Sequence, residues 1–189
     1  MVDGMKVPRR FVFLDRDGVI NVERDDYTIT IEQWEWAEGA LEGLQKLTEA
    51  GFGIIVITNQ ACVAKGLQSL EGLAKLHRYM LECIGRAGGS ILGIYYCPHV
   101  TGDGCSCRKP EPGLFLKAAE HFAIPLSETF MIGDSLRDME AGRRAGARTI
   151  LIDSGSDIDG PQTQFEPGEF RAANLLEAAD IVIRETPVR

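Results

Sequence analysis

The run Phe11-Val-Phe-Leu-Asp15-Arg-Asp17-Gly18-Val-Ile-Asn21 starts as a short apolar strand and turns, without a spacer, into two carboxylates separated by one residue. The functional edge of an open parallel sheet lies beyond the carboxyl ends of its strands, so acids at that point can be aimed into one cavity. An aspartate there can attack phosphorus once a divalent cation neutralises the phosphoryl oxygens, and a second carboxylic acid can protonate the departing alkoxide. Asp15 suits the first role and Asp17 the second, and Gly18 permits a tight backbone path after them. Taken alone, Asp-Arg-Asp-Gly is as readily a polar turn. What surrounds it in the chain chooses between the two.

Outward from this run, five more short apolar stretches rich in β-formers occur at residues 53–58, 93–96, 129–132, 149–152 and 181–183, mostly separated by segments of helical periodicity. Such alternation predicts an α/β fold, a mainly parallel Rossmann-like sheet with helices on both faces. Leu41, Leu44 and Leu47 mark one helix, which Gly51 stops. Leu70, Leu73, Leu76, Met80 and Ile84 mark the next. Gly, Pro, Ser, Asp and Gln replace apolar periodicity over 154–168, which reads as a flexible surface loop, and 172–179 reads as a short helix leading into the last strand. The segments between motifs are short, so one domain over 1–189 without a large cap is expected.

Composition narrows the function classes. Apolar residues make up 44% of the 189 and charged residues 25%, which suits a soluble globular chain. A net charge of -8 disfavours nucleic acid and anionic membrane as partners, while a local basic pocket can still hold a small anion. No charged-then-apolar leader follows Met1, and no apolar run approaches the roughly 20 residues of a membrane span. A cytoplasmic monomer is therefore expected. Five cysteines, an odd number, fit a reducing compartment better than a disulfide framework.

Three further segments complete a phosphoryl-transfer site. Ile55-Val-Ile-Thr58-Asn59-Gln60 ends a strand with a hydroxyl and backbone N–H groups able to bind phosphoryl oxygens, although Thr-Asn alone is more often a turn or cap. Thr129-Phe-Met-Ile-Gly133-Asp134-Ser135-Leu-Arg-Asp138 again delivers an acid from an apolar run. Asp134 would join Asp15 as a carboxylate ligand of magnesium, with Asp17 in the same set, while Asp138 caps or orients the following helix. Between them, Arg108-Lys109-Pro110-Glu111-Pro112 offers Lys109 to neutralise phosphate and Arg108 to grip another anionic part of the substrate; the bland alternative is a solvated basic pair.

Tyr96-Cys97-Pro98-His99, followed after five residues by Cys105-Ser106-Cys107, supplies three thiols and an imidazole in one short stretch. A closed set of Cys97, His99, Cys105 and Cys107 fits tetrahedral zinc in a structural role, holding the loop 97–107 that leads into Arg108 and Lys109. An incidental group of buried cysteines is the alternative. Cys62 and Cys83 read as small apolar packing residues, and His77 and His121 as partly exposed helix residues.

Taken together, Asp15/Asp17, Thr58, Lys109 and Asp134 resemble, in order, the four motifs of the haloacid dehalogenase superfamily of phosphatases. The resemblance implies an α/β core, magnesium, and the Asp17 main-chain carbonyl as a ligand. With Cys-Pro-His, Cys-x-Cys-Arg-Lys-Pro and Gly-Asp-Ser, the chain is most similar to the family of heptose bisphosphate and histidinol-phosphate phosphatases. That implies hydrolysis of the C7 phosphate of a D-glycero-D-manno-heptose 1,7-bisphosphate, a step toward the heptose of lipopolysaccharide, with Arg108 on the retained phosphate. Histidinol phosphate or another small phosphorylated metabolite is the alternative substrate, and an inactive sugar-phosphate-binding module is the alternative of another class. The chain departs from the family at Ala61-Cys62-Val-Ala-Lys65-Gly66, where relatives have Ser-Gly-Ile-Ala-Arg-Gly. Asp26 and Tyr27 are expected on the pocket rim.

Overall fold

The computed structural model describes residues 10–153 and 169–186. Six strands, β1 (Arg10–Leu14), β2 (Phe52–Asn59), β3 (Gly93–Cys97), β4 (Phe130–Gly133), β5 (Arg148–Ile152) and β6 (Glu169–Ala172), form one parallel sheet in the order β3-β2-β1-β4-β5-β6. Five helices accompany them: α1 (Ala40–Glu49), α2 (Leu70–Arg86), α3 (Gly113–Phe122), α4 (Leu136–Ala145) and α5 (Leu175–Glu185). The order turns back at β1, so a crevice opens between the carboxyl ends of β1 and its neighbours. In the register, Leu14 faces Val56 on one side and Ile132 on the other. Asp15 therefore leaves the sheet beside the ends of β2 and β4, and its N–H extends the ladder to the Ile132 carbonyl at 2.9 Å.

Strand alternation divides the core into two layers. Val12, Leu14, Ile54 and Val56 pack with Leu44, Leu47, Leu76, Met80 and Leu175 from α1, α2 and α5. Phe11, Phe13, Ile55 and Ile57 pack with Phe115, Ala118 and Ala141 from α3 and α4. The edge of Phe13 meets Phe115 with ring centroids 5.1 Å apart. Helices thus cover both faces, as the alternation of runs predicts. No helix among the described residues is long and apolar enough to cross a membrane.

One predicted strand is a helix. Residues 181–183, Ile-Val-Ile, lie inside α5, and the sixth strand is Glu169–Ala172 instead. Leu175, Ala178, Ala179 and Val182 form a helical stripe buried against the sheet, and Asn174 caps it by accepting the Glu177 N–H at 3.0 Å. That face and cap outweigh the β preference of three branched residues. The helix expected at 172–179 accordingly starts later, after Ala172 closes β6. The loop expected at 154–168 lies outside the described residues. Among the described residues, the long connections 15–39 and 98–112 contain no helix or sheet strand, and no cap domain is built on them.

Candidate active site

A cavity of about 340 Å³ opens at the carboxyl edge of the sheet. Asp15, Asp17, Asn59, Arg108, Lys109 and Asp134 all line it, with Ser135 and Asp138. Glu23, Arg24, Asp25, Tyr27 and Arg137 add further charge and an aromatic ring to its walls. Four segments distant in sequence thus meet at one place.

Lys109 is at the centre of the arrangement and is 3% exposed. Its ammonium donates to the Ile57 carbonyl at 2.9 Å and forms ion pairs with Asp15 Oδ2 at 2.8 Å and Asp138 Oδ1 at 2.6 Å. The buried cation is thus shared by two carboxylates. Asn59 fixes the lysine from behind: its amide oxygen accepts the Lys109 N–H at 3.1 Å and its amide nitrogen donates to the Lys109 carbonyl at 3.2 Å. The Asn59 side chain, expected on phosphate, is thus largely spent on holding Lys109.

Asp138 does two jobs. At the third position of α4 it completes a capping box with Ser135, whose N–H and hydroxyl donate to Asp138 Oδ2 at 3.1 and 2.6 Å. Its other oxygen takes Lys109. Two glycines allow this crowding. A Cβ on Gly18 would lie 1.8 Å from Asp134 Oδ2, and one on Gly133 would lie 2.3 Å from Asp138 Cβ.

Asp15, Asp134 and Asp138 each offer an oxygen within 4.8 Å of the others. Burial, partly opposed by Lys109 and reinforced by Asp138 and Asp17, pushes Asp15 up to about 7. Burial, with Asp15, Asp138 and Glu23 nearby, pushes Asp134 up to about 9. Hard oxygen donors with an excess of negative charge are the donor set a magnesium ion prefers.

Asp17 has a different environment. Arg16 donates to its Oδ1 at 2.7 Å, Asn21 to the same oxygen at 2.9 Å, and Gln60 to Oδ2 at 2.8 Å. Burial alone would raise this carboxyl, but Arg16 and the other donors hold it below the usual range. Arg16 is itself buried, reaching the Thr28 carbonyl at 3.5 Å and His77 Nε2 at 3.4 Å. His77 is therefore buried, not partly exposed, and burial beside Arg16 lowers it to about 4. His121 is exposed, as expected, and its Nδ1 pairs with the Tyr95 hydroxyl at 2.8 Å.

Thr58 is 1% exposed, and its hydroxyl accepts from Gln60 at 2.9 Å. It sits beneath the cavity and not among the lining residues. On the rim, Tyr27 adopts a left-handed φ of 66°, a conformation that bulky residues seldom take outside functional sites. Its hydroxyl meets Lys65 Nζ at 2.6 Å. Asp26 pairs instead with Arg24 on the surface.

The four soft ligands also come together. Cys97 Sγ lies 3.5 Å from His99 Nδ1, 3.7 Å from Cys105 Sγ and 3.2 Å from Cys107 Sγ, and His99 Nδ1 lies 3.3 Å from Cys107 Sγ. Thiolates about 2.3 Å from a tetrahedral zinc stand roughly 3.8 Å apart, so the set is close to the size a zinc ion needs. The knot touches both sides of the site. Arg108 donates to the His99 carbonyl at 3.1 Å, and the Gln60 N–H donates to the Cys97 carbonyl at 2.7 Å. Its far end is seated on α3, where Gly113 N–H donates to the Ser106 carbonyl at 3.0 Å.

Sequence reading overlooked Arg16, Asn21 and Gln60 as partners of Asp17, and the tie between Lys109 and Asp138. The available signal was position: all stand within or beside the motifs quoted above.

A family model for HAD-hydrolase-like proteins matches residues 106–178. D-glycero-beta-D-manno-heptose-1,7-bisphosphate 7-phosphatase of Pseudomonas aeruginosa is 38% identical over 150 residues, which cover 79% of this chain and 84% of that protein. The enzyme of the same name from Pasteurella multocida is 36% identical over 177 residues, covering 90% and 92%. Among solved structures, the D,D-heptose 1,7-bisphosphate phosphatase of B. bronchiseptica, complexed with magnesium and phosphate, superposes with a TM-score of 0.86 at 30% identity, covering 93% of this chain and 99% of that one.

Proposed function

The chain belongs to the HAD-like hydrolases, in the family of the heptose bisphosphate phosphatases, and on that premise we propose that it hydrolyses the C7 phosphate of D-glycero-D-manno-heptose 1,7-bisphosphate. The relatives' names specify the beta anomer, which we adopt for this chain. The observation that carries this reading is the meeting of Asp15, Lys109 and Asp134, each from a different segment, in one cavity beside Asp17.

Asp15 attacks phosphorus and forms an aspartyl-phosphate, while the C7 oxygen leaves with a proton from Asp17. Asp17 then takes a proton from water as that water attacks the intermediate. In the substrate-free protein Arg16, Asn21 and Gln60 favour the Asp17 carboxylate, the form needed for the second step. The approach of an anionic phosphate favours proton uptake, the form needed for the first. Lys109, ion-paired with Asp15 and Asp138, holds Asp15 in place and stabilises the anionic transition state by its charge. Magnesium would be held by the carboxylates of Asp15 and Asp134 and the Asp17 carbonyl, and when bound it would neutralise charge on the phosphoryl oxygens. Thr58 supports that pocket from below, and Arg108, lining the cavity with part of its fork free, takes the phosphate at C1.

We assign zinc to Cys97, His99, Cys105 and Cys107 as a structural ion, on the distances above. Free cysteines and the net charge of -8 support a cytoplasmic enzyme acting on a small phosphorylated sugar, without nucleic acid or membrane as partner, and we take it to be a monomer. The test is a comparison of phosphate release from the heptose bisphosphate and from histidinol phosphate with magnesium present. The bisphosphate is expected to win by orders of magnitude in kcat/KM; equal turnover, or preference for histidinol phosphate, overturns the substrate assignment.

A further inference from the structure

Gln60 is 1% exposed, stands just beyond the end of β2, and has a task left unassigned so far. Its amide nitrogen donates to Asp17 Oδ2 at 2.8 Å and to Thr58 Oγ1 at 2.9 Å. Its amide oxygen faces the Cys62 thiol at 3.6 Å, whose one proton also has Gln68 Oε1 within 3.5 Å. An ionised Asp17 only accepts, so it is the carboxylate that fixes the nitrogen side of the amide toward Oδ2. The main chain is anchored as well, through the bond from Gln60 N–H to the Cys97 carbonyl.

The Asp17 carboxyl needs such a partner. Arg16 and Asn21 both hold Oδ1. With only those donors the carboxyl is free to turn Oδ2 toward them, since a guanidinium fork readily takes both oxygens of one carboxylate. Gln60 holds Oδ2 apart.

We propose that Gln60 is a positioning residue for the acid–base step: it sets the plane of the Asp17 carboxyl, with Thr58 as the second anchor that fixes its own orientation. The proposal rests on the phosphatase reading and on the role of Asp17 within it. A residue that only packs would change stability, or affect every substrate alike. One that positions a general acid affects most those substrates whose leaving group needs a proton.

Gln60→Met removes both donors at similar volume, and Gln60→Glu keeps the shape but removes them. Each is compared with the wild type on a sugar phosphate, whose alkoxide leaving group needs protonation, and on p-nitrophenyl phosphate, whose leaving group does not. For at least one variant that folds and binds magnesium like the wild type, kcat/KM on the sugar phosphate, which reports only the steps up to departure of the leaving group, is expected to fall about 100-fold. On the aryl phosphate kcat/KM should fall less than about fivefold, whatever happens to the shared hydrolysis of the aspartyl-phosphate. Equal losses on both substrates, or no loss on the sugar phosphate, overturn the proposal. The sugar phosphate used is the one the wild type cleaves best, so a failure of the heptose assignment shows as a wild-type result and leaves the leaving-group comparison readable.

Discussion

The two polar clusters of this protein are built on opposite plans. The carboxylates stand at the ends of β1 and β4, where sheet register fixes the main chain, and Lys109, brought in from the loop 98–112 and held by Asn59 at the end of β2, ties them together. The Cys97–Cys107 knot starts at the last residue of β3 and takes its other three side chains from the stretch without helix or strand that follows. The first is a charged site that the fold assembles; the second, on the zinc assignment proposed above, is a loop whose shape would depend on its ion. Removing a group from the first should therefore cost chemistry and little structure, and removing a group from the second should cost structure first.

The sharpest way to break that contrast is Asp15→Asn. Loss of the nucleophile should lower kcat by at least about 10⁴-fold while circular dichroism and the melting temperature stay near wild type. A variant that unfolds, or one that retains measurable turnover, contradicts it. Cys107→Ser should act the other way round. We expect zinc content near zero and a loss of about 2–4 kcal/mol, which at this chain length lowers Tm by roughly 5–15 °C, with a secondary fall in activity as Arg108 and Lys109 lose their support. An unchanged Tm would mean that the loop holds its shape without the ion.

The smallest effect concerns magnesium and pH. Asp134 is raised to about 9 and Asp15 to about 7, both through burial first. Raised folded values mean that the unfolded chain loses these protons earlier, so the metal-free protein should lose stability as pH rises from about 4 toward 9. Magnesium must displace the same protons. The gain in Tm on adding magnesium should therefore be a few degrees larger at pH 9 than at pH 6. A gain that shrinks with rising pH would show that the cation is not held by these carboxylates.

Much of the layout was legible because the same device recurs: an apolar run delivers a polar group to the sheet edge at Asp15, Thr58 and Asp134. The convergence of Cys97, His99, Cys105 and Cys107 was legible from spacing. The sixth strand was not, since Glu169-Phe-Arg-Ala carries little pattern while Ile181-Val-Ile carries a misleading one. Arg16, Asn21 and Gln60 escaped notice for another reason. Their importance comes from being buried around one carboxylate, and burial of a polar side chain is set by tertiary packing, which the local sequence does not display. Lys109 was recognised, but not that Asp138 would share its charge.

The contact between Gly18 and Asp134 has a consequence for variation in this chain. The space a methyl group at position 18 would need is already filled by the carboxylate at 134, and the backbone at 18, with φ of 76°, is one that side-chain-bearing residues rarely adopt. Positions 18 and 134 are therefore one choice, not two. A copy of this gene with alanine at 18 would have to displace its acid, so the pair can serve as a genotype-level marker that sorts working copies from decayed ones.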